Sequence, residues 1–283
     1  MKKIALLLIT IFTLGGCSSK FAYNNIDWLI YWFLDDYIEL TSEQESVFDE
    51  KLQNWISWHK SEELPQYIEH MDQLISDIKS DQMTQQRMAY HQEKARSHWV
   101  RLRAQVAPDL VEMSKLLDDE QVVYLFAALE DDNQEEKEAY LERVSYSEEK
   151  RERRWSKRNQ DNASDWFGRL NKQQKDYISD SYGQFESTGQ HWIDYKQNYQ
   201  SNLRSLFVTR EINEDFDAEL LEMLTQPEQY RSDEFNQASE RNNEKSKQYL
   251  IKLMSMATDK QKQKLIDKIG DYREDILDLA NRR

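Results

Sequence analysis

The 283-residue sequence contains a single cysteine, three prolines and six glycines. One thiol cannot form a disulfide within its own chain and cannot build a cysteine-rich zinc site. Few prolines and glycines leave few turn signals, and no Asn-Gly or Asp-Gly hairpin dipeptide or alternating strand segment occurs. No Gly-rich phosphate loop, nucleophile elbow, His-Glu-x-x-His or Glu-x-x-His motif is present, which removes the usual signatures of nucleotide, hydrolase and di-metal chemistry. The balance of 38 basic against 53 acidic residues gives a net charge of −15. That charge opposes binding to nucleic acid.

What remains is helix-forming. Glu, Gln, Lys, Arg, Leu and Met fill the long intervals between turn residues, and the reading is an all-α protein, an elongated antiparallel multi-helix bundle. The phrase Leu40-Thr41-Ser42-Glu43-Gln44 recurs loosely at 117–121, 170–174 and 257–261. Thr41, Asp118, Asn171 and Thr258 suit the N-cap, where a side-chain oxygen accepts from an exposed helix-start amide. Three residues later Gln44, Gln121, Gln174 and Gln261 are placed to reach back to the cap residue's own amide, as in a capping box. The spacing suggests two similar halves, 17–150 and 151–283, within one domain. Glu63-Leu64-Pro65 is expected to end one helix and open another, and Pro108 to break or kink a helix running from about Thr84. Gly168 closes a helix, and the helix opened at Asn171 is expected to run to about Val208.

The first residues are organised differently. Lys2 and Lys3 precede the apolar stretch Ile4 to Leu14, which ends in Leu14-Gly15-Gly16-Cys17. A basic start, a short apolar core and small residues before a cleavage point describe a signal peptide over residues 1–16. A cysteine directly after the small residues resembles a bacterial lipobox, which implies cleavage before Cys17 and lipidation of its thiol. Ser18 and Ser19 follow, with no adjacent aspartate. By resemblance to Gram-negative sorting rules this implies the outer membrane, lipid-anchored, on its periplasmic face.

Two larger resemblances add to this. Leu40 to Gln44 resembles the motif of small LTxxQ periplasmic stress chaperones. The combination of lipobox, Ala22-Tyr23-Asn24-Asn25, Leu40 to Gln44 and Trp58-His59 through Leu64-Pro65 resembles an uncharacterised family of proteobacterial lipoproteins. The second resemblance implies location and fold and carries no activity.

Candidate contact residues fall in two stretches. Ile26 to Ile38 is rich in aromatics and too short to span a bilayer. It forms either a buried central helix or a contact surface through Trp28, Tyr31, Trp32 and Phe33. The segment 150–158 concentrates basic residues, among them Arg151, Arg153 and Arg154, around Trp155. It either holds an anionic envelope group or pairs with the acidic run Glu130 to Glu149. His59, His70, His91, His98 and His191 are the histidines; His91 and His98 share a helix face two turns apart, too far to chelate one metal alone. No metal, cofactor or catalytic residue is assigned. The expected function is a non-enzymatic binding or chaperone-like envelope lipoprotein, held to the membrane by its lipid, with an envelope protein or polymer as partner. The alternative is an envelope hydrolase or metal-dependent enzyme whose carboxylates converge only in the fold.

Overall fold

The computed structural model describes residues 17–281, so the expected signal peptide over 1–16 lies outside the described residues, and nothing of the Cys17 side chain is described. Its elements are α1 (Cys17–Asn24), α2 (Ile26–Leu34), α3 (Ser42–Trp58), a π turn (His59–Glu63), α4 (Leu64–Lys79), α5 (Gln85–Ser114) and α6 (Asp119–Ser145). The second half follows as α7 (Glu148–Phe167), α8 (Lys172–Asp180), α9 (Gly189–Val208), α10 (Phe216–Thr225), a 3-10 turn (Pro227–Tyr230), α11 (Asp233–Ser255) and α12 (Asp259–Asn281). The protein is an all-α helical bundle, with no strand among the described residues.

The four cap phrases start α3, α6, α8 and α12. In each, the amide of the glutamine donates to the cap side chain and the glutamine oxygen accepts from the cap amide. The glutamines also meet in pairs. Gln44 Nε2 donates to Gln121 Oε1 at 2.9 Å and the reverse bond is 2.7 Å; for Gln174 and Gln261 the two bonds are 3.2 and 2.9 Å. Each remaining amide hydrogen described goes to a carbonyl two residues ahead of the partner's cap. Gln44 reaches Leu116, Gln121 reaches Glu39 and Gln261 reaches Arg169. Glutamic acid would suffice for a capping box, but only an amide both donates and accepts in this way.

Each knot adjoins its own core. Around Gln174 and Gln261, Ile78, Phe167, Leu170, Ile178, Leu253 and Leu265 bury together, with α12 lying along α4. Toward Gln44 and Gln121, Val111, Val122, Phe126, Leu206, Phe207 and Leu220 form the second cluster, with α10 on α5 and α9 on α6.

A helix opens at Leu64 with Pro65 in its first turn, as expected, but the boundaries differ in other respects. At Pro65 the chain does not break: it stays helical through the π turn, where the Leu64 amide bonds back five residues to the His59 carbonyl. Widening the turn by one residue accommodates a proline within the first turn of α4. The helix capped by Thr84 starts where expected, and at Pro108 it does not break but continues to Ser114. By contrast the helix from Asn171 stops at Asp180, because Gly183 adopts φ +79°, a left-handed conformation incompatible with continuation; the chain becomes helical again at Gly189. Gly168 closes α7 as expected, with φ +76°.

Candidate functional site

The N-terminal stretch is a surface feature rather than a buried central helix. No residue of α2 is buried; Trp28 is 61% and Trp32 43% exposed, and Phe21 on α1 is 69% exposed. Tyr31 and Phe33 turn partly inward. Tyr31 packs edge-on against Phe48 and donates to Asp49 at 2.7 Å, and Phe33 meets Tyr37. Eight apolar and aromatic side chains cannot all bury in a helix that packs on one side only, so the two tryptophans stay outside.

Beneath α1 and α2 runs an apolar groove. Its first section, about 460 Å³, lies between Tyr23, Ile26 and Ile30, the α3 residues Leu52, Trp55 and Ile56, and the α5 residues Trp99, Leu102 and Val106. A second section of about 220 Å³ continues past Leu34, Phe48, Leu203 and Leu220 to Gln44. Leu110 and Leu224 line both sections, so the two adjoin at these side chains. Few polar groups break this surface. Arg103 bridges to Glu228 at 2.9 Å through one terminal nitrogen, while its Nε–H is buried without an acceptor. Such a donor is costly to leave unmet. His59 accepts or donates at Nδ1 against the Tyr23 hydroxyl, 2.8 Å away, and burial lowers its pKa.

Beside the groove, on the same α5, three histidines that sequence reasoning left apart come together. His70 on α4 sits between His98 and His91 of α5: its Nδ1 is 3.2 Å from His98 Nε2 and its Nε2 is 3.1 Å from His91 Nδ1. His98 Nδ1 lies 2.7 Å from Glu63 Oε1 and His91 Nε2 2.9 Å from Asp77 Oδ2. Arg101 forks onto Glu63 at 2.9 and 2.7 Å, and Arg87 holds Asp77 at 2.7 Å. Burial raises the carboxyl pKa of Glu63, but Arg101 and His98 outweigh it and hold the pKa below the usual range; Asp77 behaves likewise through Arg87 and His91. Burial lowers all three histidines, His70 to about 4 with help from His91, His98 and Lys94. The space beside them is only about 20 Å³. Among the described residues no group of three His, Cys, Asp or Glu is arranged to hold a metal.

The sequence signal for this ladder was a seven-residue spacing. Glu63, His70 and Asp77 face His91 and His98 once α4 and α5 are known to be antiparallel neighbours.

The basic stretch is resolved into local contacts. Arg151 pairs with Glu148 of its own helix, Arg154 lies 5.2 Å over the Tyr146 ring and Arg153 is exposed. Trp155 packs on Tyr182 and Phe185 and, half-buried, lies against the core around Gln174. The expected pairing with the run from Glu130 is thus confined to its last residues. His191 stacks on Phe235, away from the ladder.

The chain belongs to a family of unknown function (DUF6279), whose model matches residues 36–236. No curated protein and no solved structure matches it.

Proposed function

Starting from membership in a family without an assigned activity, we propose that the protein is a lipid-anchored lipoprotein of the outer membrane, facing the periplasm. There it works without catalysis, as a chaperone-like binding protein that takes an apolar polypeptide segment into its groove. The observation that carries this reading is the pair of adjoining apolar sections under α1 and α2 with one unmet N–H, that of Arg103, in the wall of the first. Apolar side chains of a client would fill the two sections by hydrophobic burial. A main-chain carbonyl would satisfy the Arg103 donor without adding charge next to Glu228, which a free carboxylate head would do. Exposed Trp28, Trp32 and Trp99 offer a first aromatic contact. The carboxylates nearest the histidines are each held by a guanidinium in a space too small for a substrate, which favours binding over hydrolysis.

Suppression of aggregation of a reduced, unfolded client tests this. The wild-type protein should suppress it, and Leu110→Trp, which plugs the junction of the two sections, should abolish suppression with helicity unchanged. Equal activity of the plugged variant, or no suppression by the wild type across several clients, would remove the groove as the binding site.

A further inference from the structure

The histidine ladder has a proton count that does not close. Seven helical residues rise about 10.5 Å, so in an antiparallel pair His70 falls midway between His91 and His98, about 5 Å from each. The ring centres are 5.3 and 5.4 Å apart. Each of these separations exceeds the matching nitrogen separation, 3.1 and 3.2 Å, by about 2.2 Å, roughly twice the distance from an imidazole centre to its own nitrogen. That relation holds when rings meet end-on, in line, as hydrogen-bonded imidazoles do. Rings converging on a common metal would bring their centres closer at the same nitrogen separation.

Four contacts join Glu63, His98, His70, His91 and Asp77, and each needs one proton to be a hydrogen bond. A carboxylate only accepts, so His98 carries hydrogen on Nδ1 and His91 on Nε2. Arg101 Nη2 also approaches His98 Nδ1, at 2.6 Å, but that nitrogen already donates to Glu63 Oε1, and a bare His98 nitrogen facing the same carboxylate at 2.7 Å would set lone pair against anion. The inner nitrogens of His98 and His91 are then both bare, and both face His70. A neutral His70 has one N–H and leaves one contact empty. Three neutral imidazoles bring three protons to four contacts.

We propose that these five residues form a binding site for one proton, taken up by His70 between two histidines whose opposite tautomers are fixed by the carboxylates. With the site empty, His70 alternates between its two tautomers, closing one contact or the other. With it filled, all four contacts are hydrogen bonds. A second proton has no acceptor within the ladder and sets N–H against N–H, which parts α4 from α5.

The charged groups around the site decide when it fills. Glu63 and Asp77 at the ends favour the proton, but each already answers to Arg101 or Arg87. Lys94 on α5 opposes it, and burial opposes it most. Glu69 on α4 borders the open side with Gln66, Gln73 and Tyr90. On the α12 side, Asp72 of α4 is taken by Arg273. Filling therefore falls on the acid side of an ordinary histidine.

Long-range 1H–15N spectra of the full-length protein, histidine-labelled and held in detergent micelles, test this between pH 8 and 4. His98 should remain an Nδ1–H tautomer and His91 an Nε2–H tautomer throughout, while His70 passes from a tautomer average to the doubly protonated form. Either outer histidine in the other tautomer, or three independent titrations near the ordinary value, would overturn the proposal. Asp77→Asn provides the second arm, because an amide can donate to His91 Nε2. His91 should then flip to Nδ1–H and donate to His70, so that all four contacts close without the extra proton. The His70 midpoint should fall by about one pH unit, a tenfold weaker proton affinity. A flipped His91 with an unmoved His70 midpoint would also overturn it. Should the substitution unfold the chain, the tautomers of the unsubstituted protein still decide.

Discussion

A glutamine at the third helical position is ordinarily one of two equivalent choices, the other being glutamate. Here the equivalence fails. Gln174 is fully buried and its amide both donates to and accepts from Gln261. Gln174→Glu removes the donor and buries a charge, and the expected cost is about 2–3 kcal/mol, measured as a lower denaturant midpoint. Gln44→Glu is half-buried and should cost about 1 kcal/mol. Equal costs at the two positions would mean that the deeper burial of the Gln174 pair contributes nothing.

The histidines make a second expectation, on pH. His59, His70, His91 and His98 all have pKa values lowered in the fold, first by burial. Above the unfolded value of 6.5 both states are neutral and the histidines contribute no pH dependence. As pH falls below it the unfolded chain takes up protons that the native state refuses, so stability drops, and for His70 the drop levels off near pH 4. The urea midpoint should therefore fall between pH 6.5 and 4, and His70→Gln should flatten that slope. A midpoint rising over this window would contradict the burial of the ladder.

Among the helices, glycine separates position from composition. Gly270 lies inside α12 with open space around an added Cβ, so Gly270→Ala should stabilise by about 0.5–1 kcal/mol. Gly183 also has open space, but its φ is +79°, and Gly183→Ala should cost about 1–2 kcal/mol. Thermal midpoints moving in opposite directions check both. The same contrast explains what could be read in advance. Helix starts at Thr41, Asp118, Asn171 and Thr258 were legible because a cap and its glutamine are local chemistry. The break at Gly183 was not, since a glycine can sit inside a helix and only the backbone angle decides. Nor were the π turn at Pro65, the mutual pairing of the glutamines and the histidine ladder. Each needs the knowledge of which helix lies beside which, and a seven-residue spacing carries no partner until the antiparallel register is fixed. The exposure of Trp28 and Trp32 was an open alternative for the same reason.

Taken together, the placement of the groove and the aromatics bears on how the proposed lipoprotein would be held at its membrane. Among the described residues no helix is long and apolar enough to cross a membrane. Phe21, Trp28 and Trp32 are exposed close in sequence to Cys17, and an interfacial contact through them is an alternative to lipid anchoring. The magnitudes favour the lipid. An acyl chain contributes roughly 0.8 kcal/mol per buried methylene, and two or more chains hold stably. Three aromatic side chains on short helices, attached to a body of net charge −15, meet an anionic surface with repulsion. Cys17→Ser should therefore move the protein out of the membrane fraction even with Trp28 and Trp32 in place. Replacing both tryptophans by serine, with Cys17 intact, should leave it there and instead weaken client binding at the groove. Fractionation of cells carrying each variant separates the two modes. Retention of the serine variant at the membrane would transfer the anchoring role to the aromatic face, and the groove beneath it would then be covered by lipid rather than open to a client.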